Sequence, residues 1–412
     1  MRRGADRSSE PSQETAHEWI DHDSALRDFV AHASVQPDYQ IDTEFHREKT
    51  YFPRLALVQI KAGDVTALID PLCTDMSLLR PLFHGPGLAV LHAAQQDLDV
   101  LTQSIGFVPD RIFDTQVAAG FVGFSTPSLV TLASSLLKVN IPKGDRLTDW
   151  LRRPLTRDQR NYAASDVEHL SEIRRIIEDD LERRGRTSWA VEACEELRTR
   201  PVGPTDPSDA WLRVKDIRTV KGRSRWVARE VARWREERAM ALDIPVRHVM
   251  SDISLLGVAQ RAPRSADDLA SCRGLDGRLA KGAQGAAILQ AVQKGLEFAQ
   301  EGDLYFPAPE GEDLEKSMRP AVTLVGVWVA ELARQSDLDP ALLGTRKDIV
   351  DLLAGNEGAR LAAGWRADIL GRDVEMLVKG RMALTFRTEG DTTGLTMVPV
   401  PAPDGPESPF QG

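Results

Sequence analysis

Strand-like segments are confined to the first part of the chain, and this restricts the folds open to it. The patterns typical of strands cover four segments, residues 40–45, 55–61, 65–70 and 88–91. Helical periodicity dominates from residue 97 onward, with clear examples at 129–137 and 158–181. Strands followed by interleaved helices are typical of an α/β layered domain. After it, the chain carries almost no strand signal.

A Pro-rich polar stretch at residues 200–208 marks the boundary between the α/β part and a helical second half. A second loop-like break follows residue 300, and the last fifteen residues are again Pro-rich. The predicted organisation in chain order is a disordered N-terminus at 1–16, an α/β domain at 17–198, a linker at 199–209, a small all-α domain at 210–300, a linker at 301–315, a second small all-α domain at 316–388 and a disordered tail at 398–412.

Composition excludes several classes of protein. No long uncharged apolar run is present, so we expect no membrane-spanning helix and no membrane partner. The three cysteines are far apart, which excludes a disulfide framework or a zinc-finger spacing and favours a cytoplasmic location. The net charge of −10 argues against coating nucleic acid through bulk charge. Residues 211–238, however, hold ten Lys or Arg against four acids, so positive charge is concentrated mid-chain.

Acidic residues in the α/β part have spacings that could bring their carboxylates together in a functional site. Asp42 and Glu44 are two apart on a predicted strand, so both carboxylates lie on one sheet face. A solvent-facing edge explains most such pairs, but this segment leads into an apolar hairpin as a central strand would. Asp97 begins a helix beyond the carboxyl end of a strand, where ligands collect in α/β sheets. Alone, Asp97 is more typical of a helix-start acid that complements the helix dipole.

A further carboxylate follows on a helix. Thr156 and Gln159 form a capping-box pattern, which predicts the helix start. Tyr162 and Asp166 are then four apart and share a face, although most such pairs only pack. Four carboxylates that converged would repel one another unless divalent cations neutralised them. Oxygen ligands suit Mg²⁺ or Mn²⁺, and two such ions activate water for phosphodiester hydrolysis.

The ordered set resembles the DEDD exonuclease superfamily: Asp-x-Glu, then Asp, then Tyr-x-x-x-Asp. The position five before the last aspartate is Asn161 rather than histidine, which indicates the tyrosine-bearing branch. Residues 18–185 are most similar to the ribonuclease D family. The segments that carry this resemblance are Ile41-Asp-Thr-Glu-Phe45, Leu57-Val-Gln-Ile60, Leu91-His-Ala-Ala94 with Asp97-Leu98, Phe113-Asp-Thr-Gln-Val-Ala-Ala119, Thr148-Asp-Trp150, Arg153-Pro-Leu155 and Gln159 through Asp166.

This resemblance implies a ribonuclease H-like α/β exonuclease domain that hydrolyses RNA from its 3′ end with two divalent cations, Mg²⁺ or Mn²⁺. By position, Asp42, Glu44, Asp97 and Asp166 would hold the metals, and Tyr162 would orient or help deprotonate the attacking water. The residues that would contact substrate are Thr43, Phe45, Lys143, Trp150 and Arg153. Precursors of transfer RNA with a free 3′ end are the expected substrate, with weaker DNA binding.

The helical half resembles HRDC domains, the small modules that ribonuclease D shares with RecQ-type helicases. In residues 211–297 the resemblance rests on Ala232-Arg-Trp-Arg-Glu-Glu-Arg-Ala239, Ile244-Pro245 and Ser251-Asp252. Pro245, Pro263 and Gly274 would separate four or five short helices. Residues 316–386, with Leu343-Gly-Thr-Arg-Lys-Asp348 and Gly364-Trp-Arg366, resemble a second, more divergent copy. Exposed Arg and Lys on the leading helices would attract phosphates without reading bases.

Two other functions remain open at this point. The same carboxylates occur in DNA 3′→5′ exonucleases, although the closeness to ribonuclease D favours RNA. A nucleic-acid-binding protein without catalytic activity would require loss of at least one metal ligand, yet all four carboxylates and Tyr162 are present.

Overall fold

The computed structural model describes residues 16–141, 148–277, 279–306, 314–388 and 393–401. These residues form two compact units. The first contains the described residues of 1–112, 141–170 and 198–307, and the second those of 113–140, 171–197 and 308–412. Several predictions fall outside the described residues: Lys143, the N-terminus up to residue 15, residues 307–313 of the second linker and the tail from residue 402.

A mixed sheet supports the candidate carboxylates. Its six strands within the described residues are β1 Glu18–Ile20, β2 Asp38–His46, β3 Arg54–Ala62, β4 Val65–Ile69, β5 Leu88–Leu91 and β6 Ile112–Asp114, in the spatial order β1-β4-β3-β2-β5-β6. β3 runs antiparallel to both β2 and β4, whereas β1 is parallel to β4 and β5 is parallel to β2. The four predicted strands are confirmed as β2 to β5. β1 and β6 were missed because three residues are too few to show alternation.

Helices surround and follow these strands. Before the first linker they are α1 Asp23–Ala33, α2 Arg80–Phe83, α3 Gln95–Ile105, α4 Thr115–Ala119, α5 Leu129–Leu132, α6 Arg157–Glu168, α7 Leu170–Arg183 and α8 Thr187–Arg198. α5 continues into a π-helical turn at Ala133–Leu137, so the helical prediction for 129–137 is confirmed.

The single helix expected over residues 158–181 is wrong, because α6 and α7 are separate and meet at His169. Lys61 on β3 accounts for the break. Its Nζ donates to the Glu168 carboxylate at 2.6 Å and to the Glu168 carbonyl at 3.4 Å. A carbonyl at a helix end needs a partner from outside the helix, and Lys61 supplies it. The same contact ties the end of α6 to the sheet.

The region after the first linker is helical, as predicted. Its helices are α9 Arg223–Leu242, α10 Val246–Val249, α11 Asp252–Arg261, α12 Ala266–Ala270 and α13 Gly282–Glu301. The predicted breaks at Pro245, Pro263 and Gly274 each fall between two of these helices. α9, α11 and α13 share one apolar core, to which they contribute Val227, Val231, Leu255, Val258 and Ile288.

The C-terminal region contains α14 Arg319–Gln335, α15 Pro340–Leu343, α16 Arg346–Ala354 and α17 Gly364–Val378. It is not all-α as expected, because an antiparallel hairpin of β7 Met382–Arg387 and β8 Gly394–Pro399 follows. Gly380, with φ +68°, turns the chain after α17. Thr385 then pairs directly with Thr396, their hydroxyls 3.2 Å apart. The predicted tail at 398–412 therefore begins too early, since residues 398 and 399 are part of β8.

α8 belongs to the second unit through contacts that lie far apart in sequence. The rings of Trp189 and Trp365 stack with centroids 4.9 Å apart. Glu196 accepts hydrogen bonds from Arg360 and from the fully buried Arg366, both at 2.9 Å. Local sequence pattern carries no sign of such partners. No helix in the described ranges is both long and apolar enough to cross a membrane.

The close approach of α9 and α13 makes a testable prediction. A Cβ on Gly295 would lie 2.6 Å from the Cα of Val227, whereas one on Gly371, within α17, would meet nothing within 4 Å. We expect Gly295→Ala to lower the free energy of unfolding by about 1–3 kcal/mol through overpacking. Gly371→Ala should raise it by about 0.5–1 kcal/mol, because alanine restricts the unfolded chain. Thermal unfolding measures both, and a shift of the same sign in the two variants would contradict the packing described.

Candidate metal centre

β2 presents the first two carboxylates to one side of the sheet. Asp42 lies opposite Gln59 and Glu44 opposite Leu57 across the antiparallel pair of β2 and β3. Directly opposed residues point to the same face, so all four share it. The register shifts just after Glu44, where Phe45 lies opposite Leu55. Such a bulge bends the strand and redirects the side chains beyond it.

α6 brings the third carboxylate onto this face. Thr156 and Gln159 form the predicted capping box, which sets the first turn of the helix. Ala163 and Ala164 are fully buried and pack against Leu57 and Leu68 of the sheet. Their small side chains allow the helix to approach closely. Carboxylate oxygens of Asp42, Glu44 and Asp166 consequently lie within 4.8 Å of one another.

Among the described residues the cluster has three members, and Asp97 lies beside them. Its carboxylate is 7% exposed and accepts a hydrogen bond from the Thr43 hydroxyl at 2.5 Å. Thr43 alternates with Asp42 and Glu44 along β2 and therefore points to the opposite face. The charge of Asp97 nonetheless raises the pKa of both Glu44 and Asp166. Thr43, a predicted substrate contact, thus positions Asp97 in this structure.

Burial and mutual repulsion dominate the electrostatics of the cluster. Burial, and then the charge of Asp166, holds the pKa of Asp42 well above its ordinary value. Burial and the three neighbouring carboxylates raise the pKa of Glu44 to about 9. Burial also raises the pKa of Asp166 to about 7, against the opposing effect of a hydrogen bond from Tyr162. These carboxylates favour a proton or a cation among them.

Basic residues near the cluster are engaged elsewhere. Lys61 pairs with Glu168, Arg153 with Asp70, and Arg47 with Asp99. Within the described residues, no ion pair includes Asp42, Glu44 or Asp166. An oxygen-only, acidic and partly buried set of ligands fits a hard divalent cation.

Tyr162 lies one turn before Asp166 on α6 and donates its hydroxyl hydrogen bond to that carboxylate. Its ring lies against Trp150, with centroids 6.1 Å apart. Burial and the charges of Asp166, Glu44 and Asp42 raise the pKa of the hydroxyl above its ordinary value. The group therefore keeps its proton at any physiological pH and acts as a hydrogen-bond donor.

Arg153 and Trp150 have roles inside the protein. The guanidinium of Arg153 donates to both carboxylate oxygens of Asp70, at 2.6 and 2.7 Å, and to the Ala56 carbonyl at 2.7 Å. Ala56 is the residue of β3 left unpaired by the bulge after Glu44. Trp150 is 8% exposed within the cluster that includes Ala56 and Tyr162. Contact of either residue with substrate stays a prediction.

Asp70 is the residue that the sequence interpretation missed. It directly follows β4 and is 2% exposed, yet its only visible signal was an acid after an apolar strand. Phe45, another predicted substrate contact, is open to solvent on part of its surface. It is half-buried just beyond the bulge, with the Arg47 guanidinium 5.8 Å from its ring centre.

Comparisons with known proteins agree with this geometry. The sequence profile of a 3′-5′ exonuclease family matches residues 17–182, and that of the HRDC domain matches residues 224–292. The chain is 36% identical to ribonuclease D of Granulibacter bethesdensis over 85% of this chain and 89% of that protein. It is 35% identical to ribonuclease D of a Jannaschia species over 88% and 95%, respectively.

A solved structure extends the similarity to three dimensions. The crystal structure of Escherichia coli RNase D, described as an exoribonuclease involved in structured RNA processing, superposes with a TM-score of 0.78 at 27% identity. The alignment covers 89% of this chain and 99% of that one.

Repulsion within the cluster predicts a gain in stability when one charge is removed. We expect Asp166→Asn to raise the melting temperature of the metal-free protein, by roughly 1 °C for each kcal/mol of repulsion removed. A carboxyl whose pKa is raised on folding destabilises the folded state as the pH rises through that pKa. The difference from wild type should therefore be small below about pH 4 and grow up to about pH 7.

Asp158→Asn is the matched control, since Asp158 is an exposed acid at the start of the same helix. It should leave the melting temperature unchanged or slightly lower it, because an N-terminal acid stabilises the helix dipole. A melting temperature of Asp166→Asn that stays at or below the wild-type value at pH 8 would show that the carboxylates do not repel one another.

Proposed function

The chain belongs to the ribonuclease D family of 3′→5′ exoribonucleases, and we propose that Asp42, Glu44, Asp97 and Asp166 hold two divalent cations, Mg²⁺ or Mn²⁺, in its active site. The observation that carries this proposal is the approach of three carboxylates from β2 and α6 to within 4.8 Å. Asp97, held by Thr43 beside them, would complete the set. When bound, such cations activate water and stabilise the leaving oxygen of a phosphodiester.

Tyr162 would orient the attacking water. Its hydroxyl is a donor already directed to Asp166. A contribution of Tyr162 to deprotonating that water stays part of this proposal. Trp150 fixes the ring from the side, so the hydroxyl is positioned before substrate arrives.

The proposed substrate is RNA with a free 3′ end, and precursors of transfer RNA are the class we expect. The family and the described role of the Escherichia coli relative in structured RNA processing support this proposal. Phe45 is the candidate contact for the terminal nucleotide, because it lies on β2 one residue beyond Glu44 and is half-buried. Aromatic faces stack on bases without regard to sequence, as a trimming enzyme requires.

We further propose that two HRDC-type modules follow the exonuclease domain in the sequence. The bounds would be 17–198 for the exonuclease domain, 210–300 for the first module and 316–388 for the second. The profile match at 224–292 lies inside the first module. For the second, support comes from four helices, α14 to α17, with buried apolar residues of their own such as Val325, Leu343 and Leu370.

The structure divides the basic stretch at 211–238 into two kinds of residue. On α9, four arginines donate hydrogen bonds to groups of the same chain; they are Arg225, Arg229, Arg233 and Arg235. Arg235 is itself buried. These arginines stabilise the module and offer little to a phosphate backbone.

The segment that leads into α9, up to its first residue Arg223, is different. In residues 210–223, which we call the basic strap, four apolar side chains spaced three apart are buried: Trp211, Val214, Ile217 and Val220. Its basic residues are all exposed: Arg213, Lys215, Arg218, Lys221 and Arg223. Among the described residues, the side chains of Lys215, Lys221 and Arg223 have no ion-pair or hydrogen-bond partner. Asp216 is the one acid of the strap.

Arg213 of the strap lies near the exonuclease part. Its charge lowers the pKa of the Tyr51 hydroxyl, against the larger effect of burial, and Tyr51 lies in the loop that follows β2. That loop is joined to α9: Tyr51 donates to Glu236 at 2.6 Å, and the backbone amides of Tyr51 and Phe52 donate to Asp243 at 3.0 Å. We propose that the strap holds the RNA backbone as its 3′ end enters the carboxylate cluster.

Catalysis is tested with end-labelled RNA and a DNA of the same sequence, each with Mg²⁺, Mn²⁺ or EDTA. We expect wild type to shorten RNA from the 3′ end only when a cation is present. Asp42→Asn should abolish hydrolysis, and Tyr162→Phe should slow it by about 10²-fold or more, as expected for a positioned proton donor. Asp64→Asn, at an exposed carboxylate in the turn after β3, is the control and should cleave normally.

Unchanged turnover in Asp42→Asn would remove this site from consideration, and a wild-type rate in Tyr162→Phe would limit Tyr162 to packing. Faster digestion of the DNA than of the RNA would favour the alternative function of a DNA exonuclease. A metal-binding protein that digests neither would favour a non-catalytic binding role.

The strap is tested by removing charge in two places. Lys215, Lys221 and Arg223 are replaced by Gln in one variant, and the exposed Arg247, Arg264 and Arg273 of the same module in a control variant. Each phosphate contact with single-stranded RNA contributes about 0.7 to the slope of log affinity against log salt. We expect the strap variant to lose roughly 2 from that slope, and the control to keep it. Equal slopes in the two variants would show that the RNA backbone does not bind the strap.

A further inference from the structure

Gln59 is a polar side chain whose burial the fold does not explain. It lies at the middle of β3 with 0% exposure, and neither its amide nitrogen nor its amide oxygen has a hydrogen-bond partner among the described residues. Gln40, also buried, lies on the neighbouring strand and donates to Asp38 at 2.9 Å. The same type of side chain is therefore satisfied at one position and orphaned at the other.

An orphaned amide is unfavourable in a folded protein. Removing an amide from water without a replacement partner costs free energy, and buried polar groups are nearly always paired. A leucine of similar size at position 59 would avoid this cost, since Leu57 and Leu68 already occupy the same face. The chain instead retains the amide next to its carboxylate cluster.

The strand register identifies the neighbour of Gln59. Gln59 is directly opposite Asp42 on β2 and Leu68 on β4. Directly opposed residues in antiparallel strands have Cβ atoms about 4.5–5.5 Å apart, which is within reach of an amide and a carboxylate. Of these two neighbours, Leu68 offers no polar group. Asp42 is the only one that accepts a hydrogen bond.

We propose that Gln59 is a positioning residue for metal binding, whose amide N–H donates to the carboxylate of Asp42 when a cation is bound and fixes its orientation toward that cation. This rests on the proposed function. A neutral donor suits this place, because it stabilises an ionised carboxylate without competing with the cation for negative charge. Side chains that orient metal ligands in this way contribute about 10–100-fold to metal affinity or activity.

The experiment measures Mn²⁺ affinity of the full chain by calorimetry, together with the melting temperature of the metal-free protein. We expect Gln59→Leu to bind Mn²⁺ at least about tenfold more weakly. Its metal-free melting temperature should not fall, because an orphaned amide has been removed. Exoribonuclease activity should require higher Mn²⁺ concentrations and recover when Mn²⁺ is saturating.

Gln40→Leu is the matched control, at a buried amide of the same sheet that already has a partner. It should lower the melting temperature, because the bond to Asp38 is lost, and leave Mn²⁺ affinity within about twofold of wild type. If Gln59→Leu does not fold, Gln59→Met keeps the side-chain length without the amide, and its Mn²⁺ affinity decides the question.

Two kinds of failure are distinguishable. Wild-type Mn²⁺ affinity in folded Gln59→Leu or Gln59→Met, while Asp166→Asn loses Mn²⁺ binding, would overturn the role of Gln59 alone. An equal loss of affinity in Gln40→Leu would also overturn it, because the effect would then be general to the sheet. Absence of Mn²⁺ binding in wild type would overturn the metal site on which the inference rests.

Discussion

Repulsion among carboxylates that are held close together is the constraint on which the rest of the structure depends. Asp42, Glu44 and Asp166 have oxygens within 4.8 Å of one another, and burial raises the pKa of each. Such a cluster persists in a folded protein only if uncharged packing elsewhere holds it in place. The buried sheet strands and the fully buried Ala163 and Ala164 provide that packing.

Three basic residues of this part of the chain pair with acids outside the cluster: Lys61 with Glu168, Arg153 with Asp70, and Arg47 with Asp99. These pairs stabilise the elements around the site. The pair of Lys61 lies at the end of α6, that of Arg153 lies beside the bulge after Glu44, and that of Arg47 joins the end of β2 to α3. The carboxylates of the cluster have no ion-pair partner among the described residues and therefore favour a proton or a divalent cation. The neutral groups around them, Thr43, Tyr162 and Gln59, orient them.

The helical half shows that charge counted along a sequence differs from charge available to a ligand. Ten basic residues occur between positions 211 and 238, and the sequence predicts that the leading helices of this module are basic. Arginines on α9 instead bond within the chain, while the strap at 210–223 exposes its basic side chains. Spacing by three, with 3₁₀ turns at Ala210–Arg213 and Ile217–Thr219, buries one side of the strap and leaves its basic side in water.

The sequence by itself determined the four central strands, the start of α6, the breaks between the helices of the first module and the set of candidate carboxylates. These follow from local rules: alternation, capping, the effect of proline, and residue chemistry in a fixed order. Tertiary structure decided the rest. Lys61 binds the end of α6, where α6 and α7 separate, and Asp70 binds the guanidinium of Arg153. α8 joins the second unit through Trp365 and Arg366. In each case the partner lies 83 or more residues away, and no local pattern reports which distant side chain will complete a hydrogen bond or a stack.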